Sequence, residues 1–302
     1  MNGKPITPAH LALAVAVMAV WGSNFVVIKH ALGELPPLFF ATLRYTAVLL
    51  PALFFVKRPQ VSWGNLAAYG LLIGCGQFGL LFIAMRSSIS PGIASLVMQT
   101  QVIFTIALAA VFSGERPQPA QYAGLILSSA GIATIMIYTD GSITPLGLAL
   151  TLGAAASWAG GNIVARRAGK VDMLGYVVWA AIFAVPPLFA LSWLIEGPQA
   201  MTAGIERATW ITWASVAWQA IGNTMFGYGV WGWLLARYPA ATVAPLALLV
   251  PIFGMTSAAV FLGEPLPAWK LGAAALVMSG LILGLFWPRV RRAFGRAQGE
   301  PA

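Results

Sequence analysis

The sequence predicts an all-α integral membrane protein of ten transmembrane helices, arranged as two inverted five-helix repeats with both termini cytoplasmic. Three observations carry that expectation. The chain divides into ten long apolar runs, one motif recurs half a chain later, and Lys and Arg favour alternate connecting loops.

Composition sets the class. Charged residues are 8% of the chain, apolar ones 59%, and mean hydropathy is +0.83. A soluble domain carries about 25% charge, so this chain lacks the means to cover a water-facing surface. About 20 apolar residues in a helix cross a ~30 Å hydrocarbon core. A transmembrane barrel would show ~10-residue alternating segments, and the sequence shows blocks instead.

The runs are α1 9–29, α2 38–56, α3 63–85, α4 91–112, α5 121–138, α6 145–165, α7 174–194, α8 209–235, α9 240–262 and α10 269–287. Each is bounded by charge, Pro or Gly. Run α1, behind Lys4, is too long for a signal peptide's apolar region and lacks a small-x-small cleavage site before Asn24. Trp63 opens α3, and Pro91 opens α4 where its missing N–H costs little. Tyr138 closes α5, Trp210 opens α8, and Trp269 and Trp287 flank α10, as interfacial anchors do. Pro239, Pro245 and Pro251 are expected to kink α9 and free carbonyls for a cavity.

The repeated motif is Ala109-Ala110-Val111-Phe112-Ser113-Gly114-Glu115, which returns as Ala258-Ala259-Val260-Phe261-Leu262-Gly263-Glu264. Glu115 and Glu264 lie 149 residues apart, about half of the 302-residue chain. Ile103-Phe104 falls on Ile252-Phe253 at the same offset, and Gly22-Ser23-Asn24 falls near Gly160-Gly161-Asn162. The period is too long for a solenoid unit. It reads as two copies of one half, 1–140 and 141–302, the second ending in a short basic tail.

With a cytoplasmic N-terminus, the inside segments hold Lys4, Lys57, Arg58, Arg116, Arg166, Arg167, Lys170, Arg237, Arg289, Arg291, Arg292 and Arg296. The outside segments hold Lys29, Arg86, Arg207 and Lys270. Twelve against four obeys the positive-inside rule. Five helices per half is an odd number, so the second half enters the bilayer from the opposite side. Inverted repeats place a substrate site near the midplane between the halves. The net charge of +9 is thereby explained by topology, and nucleic acid is not an expected partner.

Several residues also resemble a known family. Gly-Glu closes α4 and α9, Trp21-Gly22-Ser23-Asn24 lies in α1, and Pro36-Pro37-Leu38-Phe39-Phe40-Ala41-Thr42-Leu43-Arg44-Tyr45 enters α2. Together with the five-plus-five arrangement, these resemble the EamA branch of the drug/metabolite transporter superfamily. Within it, the chain is similar to YddG-type exporters of aromatic and other amino acids. The resemblance implies export from the cytoplasm across the inner membrane. It also implies a central cavity lined by α1, α3, α4, α6, α8 and α9.

Polar side chains at membrane depth usually face the bundle interior. Gln77 in α3, Met98, Gln99 and Gln101 in α4, and Gln219 and Asn223 in α8 fall near the middle of their runs. Of these, Gln77, Met98, Gln101, Gln219 and Asn223 are the candidate substrate contacts. Asn24 and Asn162 lie toward opposite ends of α1 and α6, each one turn after a tryptophan, Trp21 and Trp158. Trp21, Asn24 and Asn162 suit two alternating gates, and Trp158 joins the substrate contacts. The competing reading is that each amide bonds helix to helix, worth about 0.6 kcal/mol on average.

Tyr228 and Trp231 beside the glycines of α8, with a second glycine cluster in α3, suit a pocket for flat apolar groups or an ammonium. By contrast α5 and α10 carry small residues such as Ser128, Ser129, Ser279, Gly280 and Gly284, which predict close helix packing. Arg44 lies within α2, about 9 Å from its start at 1.5 Å per residue. It suits a substrate carboxylate or snorkelling to the interface, and its depth favours snorkelling.

All eight acids fall in loops or at helix ends, and His10 and His30 sit at the edges of α1. Proton antiport through a buried carboxylate relay is therefore not expected, and facilitated efflux is. No set of nucleophile, base or metal ligands suggests an enzyme. The single Cys75 excludes a cysteine-based metal cluster or disulfide framework, and no cofactor or metal is expected. Partners are a small molecule and the bilayer, with the chain a monomer. Hydrophobic drugs, nucleosides and sugars are the alternative cargoes.

Overall fold

A computed structural model describes residues 6–113, 119–138, 141–238 and 240–297, with backbone alone at 113, 240, 241, 244 and 285–297. Glu115 of the first motif copy, Lys4, Arg116, Asp140, Pro239 and Glu300 lie outside the described residues.

The described chain is helical, with one isolated bridge between Ile89 and Ile143. Seven helices are long and apolar enough to cross a membrane: α1 Pro8–Ala31, α3 Trp63–Ser87, α4 Pro91–Phe112, α5 Pro119–Ile137, α6 Pro145–Ala168, α7 Met173–Glu196 and, in α9, Pro245–Leu262. Shorter apolar helices are α2, Pro37–Ala52, and the Ala268–Gly284 part of α10. Residues 210–237 form α8 as three consecutive helical segments. Helix α9 starts at Ala240, and α10 continues to Ala297. A short helix, Pro198–Arg207, connects α7 to α8 in the segment between their apolar runs.

Local chemistry sets the helix starts. Proline occupies the first turn of α1, α2, α4 and α6, where its missing N–H is one the helix leaves unbonded anyway. Thr7, Ser62, Thr144 and Asp172 each accept a backbone N–H three residues on, satisfying a donor the first turn would otherwise orphan. Helix α2 differs, because its cap is Pro36 and supplies no side-chain bond.

Large apolar side chains at Val111, Ile126, Ile137, Leu194, Val260 and Phe261 are 70–78% exposed. Water would penalise that belt, at roughly 25 cal/mol per Å² of apolar surface. A bilayer covers it.

Irregular helix marks the interior. Helix α3 is π-helical over Leu71–Gly79 and α8 over Gln219–Phe226. Helix α4 tightens to 3₁₀ over Met98–Thr100, and α9 over Ala244–Leu248. Widening a helix unseats backbone carbonyls, and neighbouring side chains take them. Ser157 in α6 donates to Leu72 O at 2.8 Å, and Trp21 in α1 donates to Asn223 O at 3.1 Å.

The main packed pairs are α1 with α9, α4 with α6, α2 with α7, α3 with α6, α1 with α8, and α5 with α10. The α5–α10 pair matches its small-residue composition. Ser128 Oγ donates to Val277 O at 3.1 Å, and a Cβ on Gly124 would collide with the Gly280 carbonyl. The glycines of α3 serve packing too, with Gly70 and Gly74 against Ala180 and Ala184 of α7. Gly227 in α8 leaves room for the Trp21 indole.

Candidate substrate cavity

Two chambers lie among α1, α3, α4, α6, α8 and α9. The larger has a volume of about 340 Å³ and is lined by Trp21, Tyr69, Gln99, Gln101, Val102, Trp158, Asn162, Ala165, Met173, Tyr228, Trp231, Leu235, Ala247, Leu248 and Val250. The smaller, of about 60 Å³, is lined by Trp21, Asn24, Phe25, Ile28, Gln77, Phe78, Leu81, Ser95, Met98, Gln99, Trp158, Asn223, Tyr228 and Val250. Five residues (Trp21, Gln99, Trp158, Tyr228 and Val250) border both, so the chambers meet at that ring. Small-ligand sites typically occupy about 300–1,000 Å³, and the larger chamber falls in that range.

The larger chamber runs toward the end of the molecule that carries the N-terminus. Ala165 lies near the end of α6, Met173 opens α7 and Leu235 is near the end of α8. The smaller chamber points the other way, toward Ile28 in the last turn of α1. A separate apolar crevice of about 160 Å³ lies between α4, α5 and α10. It shares one lining residue, Val102, with the central chambers.

Most sequence-predicted residues converge here. Gln77, Met98, Asn223 and Asn24 line the smaller chamber, and Gln101, Trp231 and Asn162 line the larger. Trp21, Trp158 and Tyr228 line both. The Trp21 ring packs 5.5 Å from Tyr228 and 5.6 Å from Trp231, centre to centre. Aromatic faces in such an arrangement accept flat rings and ammonium groups. Tyr69, Gln99, Met173 and Val250 were not among the candidates, although Gln99 had the polarity and depth to qualify.

The amides fall into two kinds. Gln219 is fully buried and lines neither chamber, and it bonds Asn24 reciprocally at 2.7 and 3.4 Å. Asn162 donates to Gln101 Oε1 at 3.0 Å and to Thr105 Oγ1 at 3.3 Å. These pairs tie α1 to α8 and α6 to α4. Gln77 is 4% exposed, and its Oε1 takes no hydrogen bond.

Arg44 corrects the snorkelling expectation. It is 1% exposed, stacks 3.5 Å from the centre of the Phe78 ring and donates to Thr224 Oγ1 at 3.3 Å. The side chain runs into the bundle because α3 and α8 present it an aromatic face and a hydroxyl. Phe78 stands between Arg44 and the smaller chamber. Arg44 Nε and Nη1 have no partner.

Beyond the smaller chamber the end opposite the N-terminus is joined by carboxylates. Glu264, after α9, accepts Ser90 Oγ at 2.5 Å and Gly92 N at 3.0 Å at the start of α4. Glu196, at the end of α7, accepts Leu38 N at 2.7 Å and Phe39 N at 3.0 Å in the first turn of α2. Glu34, after α1, accepts Thr209 N at 3.0 Å and Thr212 Oγ1 at 2.5 Å at the start of α8. Each carboxylate supplies acceptors and negative charge to a helix N-terminus, where both are favourable. The Thr212 hydroxyl and then the Thr209 N–H hold the Glu34 carboxyl below the usual carboxylate range.

The description of the EamA-like transporter family matches residues 9–137 and 145–286. The chain belongs to that family. As an EamA-like transporter it is a multi-pass membrane protein that handles a small molecule. A relative from Salmonella typhimurium, called a probable amino-acid metabolite efflux pump, is 43% identical over 286 residues, covering 93% of this chain and 96% of the relative. An Escherichia coli relative with the same description is 40% identical over 287 residues, covering 93% and 96%. A probable terminal-alkyne amino-acid exporter of Streptantibioticus cattleyicolor is 29% identical, covering 76% and 75%. One solved structure superposes with a TM-score of 0.61 at 19% identity, covering 93% of this chain and 99% of its own, which shows the shared fold alone.

Proposed function

We propose that this EamA-like transporter exports amino acids, aromatic and other neutral ones, or similar small metabolites from the cytoplasm across the inner membrane. The carrying observation is the paired central chambers, walled by Trp21, Trp158, Tyr228 and Trp231 and provided with Gln77, Gln101 and Asn223. The descriptions of the relatives as amino-acid efflux pumps and exporters support the class of cargo.

The mechanism proposed is alternating access. The family description matching two successive segments supports reading the chain as two copies of one half. So do the π-helical stretches in α3 and α8 and the 3₁₀ stretches in α4 and α9, since each pair holds equivalent places in the two halves. The packed pairs support it as well: exchanging α1 with α6, α3 with α8 and α4 with α9 turns α1–α9 into α6–α4, and α1–α8 into α6–α3. In this reading the N-terminal end is cytoplasmic, the larger chamber is the cytoplasmic vestibule, and the three carboxylate caps close the outer end. Among the described residues no acid or histidine lines either chamber, which supports gradient-driven efflux over a proton relay.

The test is counterflow of labelled amino acids into proteoliposomes containing the purified protein. Exchange of aromatic and neutral amino acids is expected, reduced about tenfold or more by Asn223→Ala or Gln101→Ala with folding intact. Such a loss corresponds to about 1.4 kcal/mol, the scale of a lost polar contact. Movement of lipophilic cations or nucleosides with no amino-acid exchange would retain the transporter and reject the cargo.

A further inference from the structure

Three polar groups beside the smaller chamber are buried without partners: Arg44 through Nε and Nη1, the Tyr45 hydroxyl, and Gln77 Oε1. Arg44 leaves at least three of its five N–H donors unused, since Nε carries one and Nη1 two. No carboxylate among the described residues pairs with it. An uncompensated charge at membrane depth is expensive, and such residues are found where an ion or substrate completes them.

Arg44 and Tyr45 are adjacent behind Phe78, and Gln77 shares the chamber that Phe78 lines. Phe78 lines the chamber, its ring lies 3.5 Å from the Arg44 guanidinium carbon, and the Tyr45 ring lies 5.2 Å from that carbon. Gln77, the chain neighbour of Phe78, lines the same chamber. The π-helical stretch Leu71–Gly79 of α3 carries both Gln77 and Phe78 on the chamber wall, and α2 brings Arg44 and Tyr45 up behind Phe78. Arg44 and Tyr45 thus offer donors, and Gln77 Oε1 offers an acceptor.

We propose that this cluster is the recognition site for the backbone of a zwitterionic α-amino acid, with Arg44 binding the carboxylate and Gln77 the ammonium. The inference rests on the amino-acid reading above and specifies which part of the cargo is read. Rotation of the Phe78 ring gives the carboxylate access to the guanidinium, which forms a forked, charge-assisted contact. The cargo side chain then lies in the larger chamber among Trp21, Trp158 and Tyr228, where ring faces accept varied apolar groups. Specificity for the backbone and tolerance of the side chain follow from this division.

Binding to purified protein in nanodiscs tests it, using phenylalanine, its methyl ester, phenethylamine and 3-phenylpropanoate. Wild type is expected to bind phenylalanine at least tenfold more tightly than its ester or the amine. Arg44→Gln should abolish that preference while leaving the weak ester binding within about twofold. Arg44→Lys, which keeps the charge but loses the fork, should restore part of it. Gln77→Leu should weaken phenylalanine and phenethylamine but spare 3-phenylpropanoate. If Arg44→Gln does not fold, equal binding of acid, ester and amine by wild type is sufficient to overturn the proposal. A preference for the free acid that persists in Arg44→Gln overturns it and leaves the amino-acid cargo standing. Failure of phenylalanine to bind, together with no amino acid exchanged in the counterflow test, overturns both.

Discussion

The two ends of the molecule are held by different physics. At the end away from the N-terminus, Glu34, Glu196 and Glu264 each reach a helix start 158–178 residues away; for Glu264 the sequence separation from Gly92 is 172. Each of these contacts joins the first half of the chain to the second. At the N-terminal end the described hydrogen bonds between the halves use no carboxylate. Asn65 donates to Val164 O at 3.0 Å, Trp179 to Val56 O at 3.0 Å, and His10 pairs with Tyr238 at 2.6 Å. The larger chamber lies on this side. A carboxylate on two N–H groups, or on one N–H and one hydroxyl, makes charge-assisted bonds, and water can replace them once the helix withdraws. In the proposed alternating access, the carboxylate-capped end closes through polar contacts that can reopen, whereas the α5–α10 pair, built of glycine and serine against backbone, serves as scaffold.

Breaking the largest of these caps should have the largest effect. Glu264→Gln removes the charge from the Ser90 and Gly92 bonds and from the contact with Lys270 at 3.4 Å. Hydrogen bonds to charged groups are worth about 1.5–3 kcal/mol, so the closed population should fall tenfold or more. Pulsed electron spin resonance between labels at Ser87 and Glu206 should then show a longer-distance population absent from the parent.

The scaffold gives the contrasting case. Gly124→Ala forces a methyl group against the Gly280 carbonyl, and overpacking costs about 1–3 kcal/mol. Thermal unfolding in detergent should shift down by a few degrees while the label distances stay as in the parent.

The smallest effect belongs to Glu34, which is half-buried at the surface. Its carboxyl is held below the usual range of about 4.3 for Glu by Thr212 and Thr209. A depressed folded-state value means its contribution is complete above the unfolded value and is lost as pH falls through the lower folded value. Acidification below about pH 4 should loosen the α8 start, read as faster amide exchange at Thr209. Glu34→Gln should show that exchange already at neutral pH.

The sequence made much of this legible, and its silences have physical causes. Apolar runs, proline starts and aromatic ends announced the helices, because each is a local pattern. Gln77, Gln101, Asn223, Trp21, Trp158 and Tyr228 were legible because polarity and depth in a run are also local. The caps were not: Glu34, Glu196 and Glu264 looked like loop acids, since their partners are distant in the chain. One clue existed, as Pro36 before Pro37 leaves the first turn of α2 without a capping side chain. The π-helical stretch of α8 shifts side chains off a 3.6-residue period, so Asn223 lines the wall while Gln219, four residues earlier, lies behind it. Arg44 was misjudged because depth alone favoured snorkelling; the ring of Phe78 and hydroxyl of Thr224 that hold it come from other helices.

The most direct test of the account asks which end leads to the chambers. Tyr228 borders both of them, and Cys75 is the single cysteine, so Tyr228→Cys in a Cys75→Ser background reports on the ring where they meet. A membrane-impermeant maleimide should modify it from the N-terminal side, more slowly when phenylalanine is present, and from the opposite side only after Glu264→Gln is added. Equal modification from both sides in the parent, or no protection by any amino acid, would contradict the account.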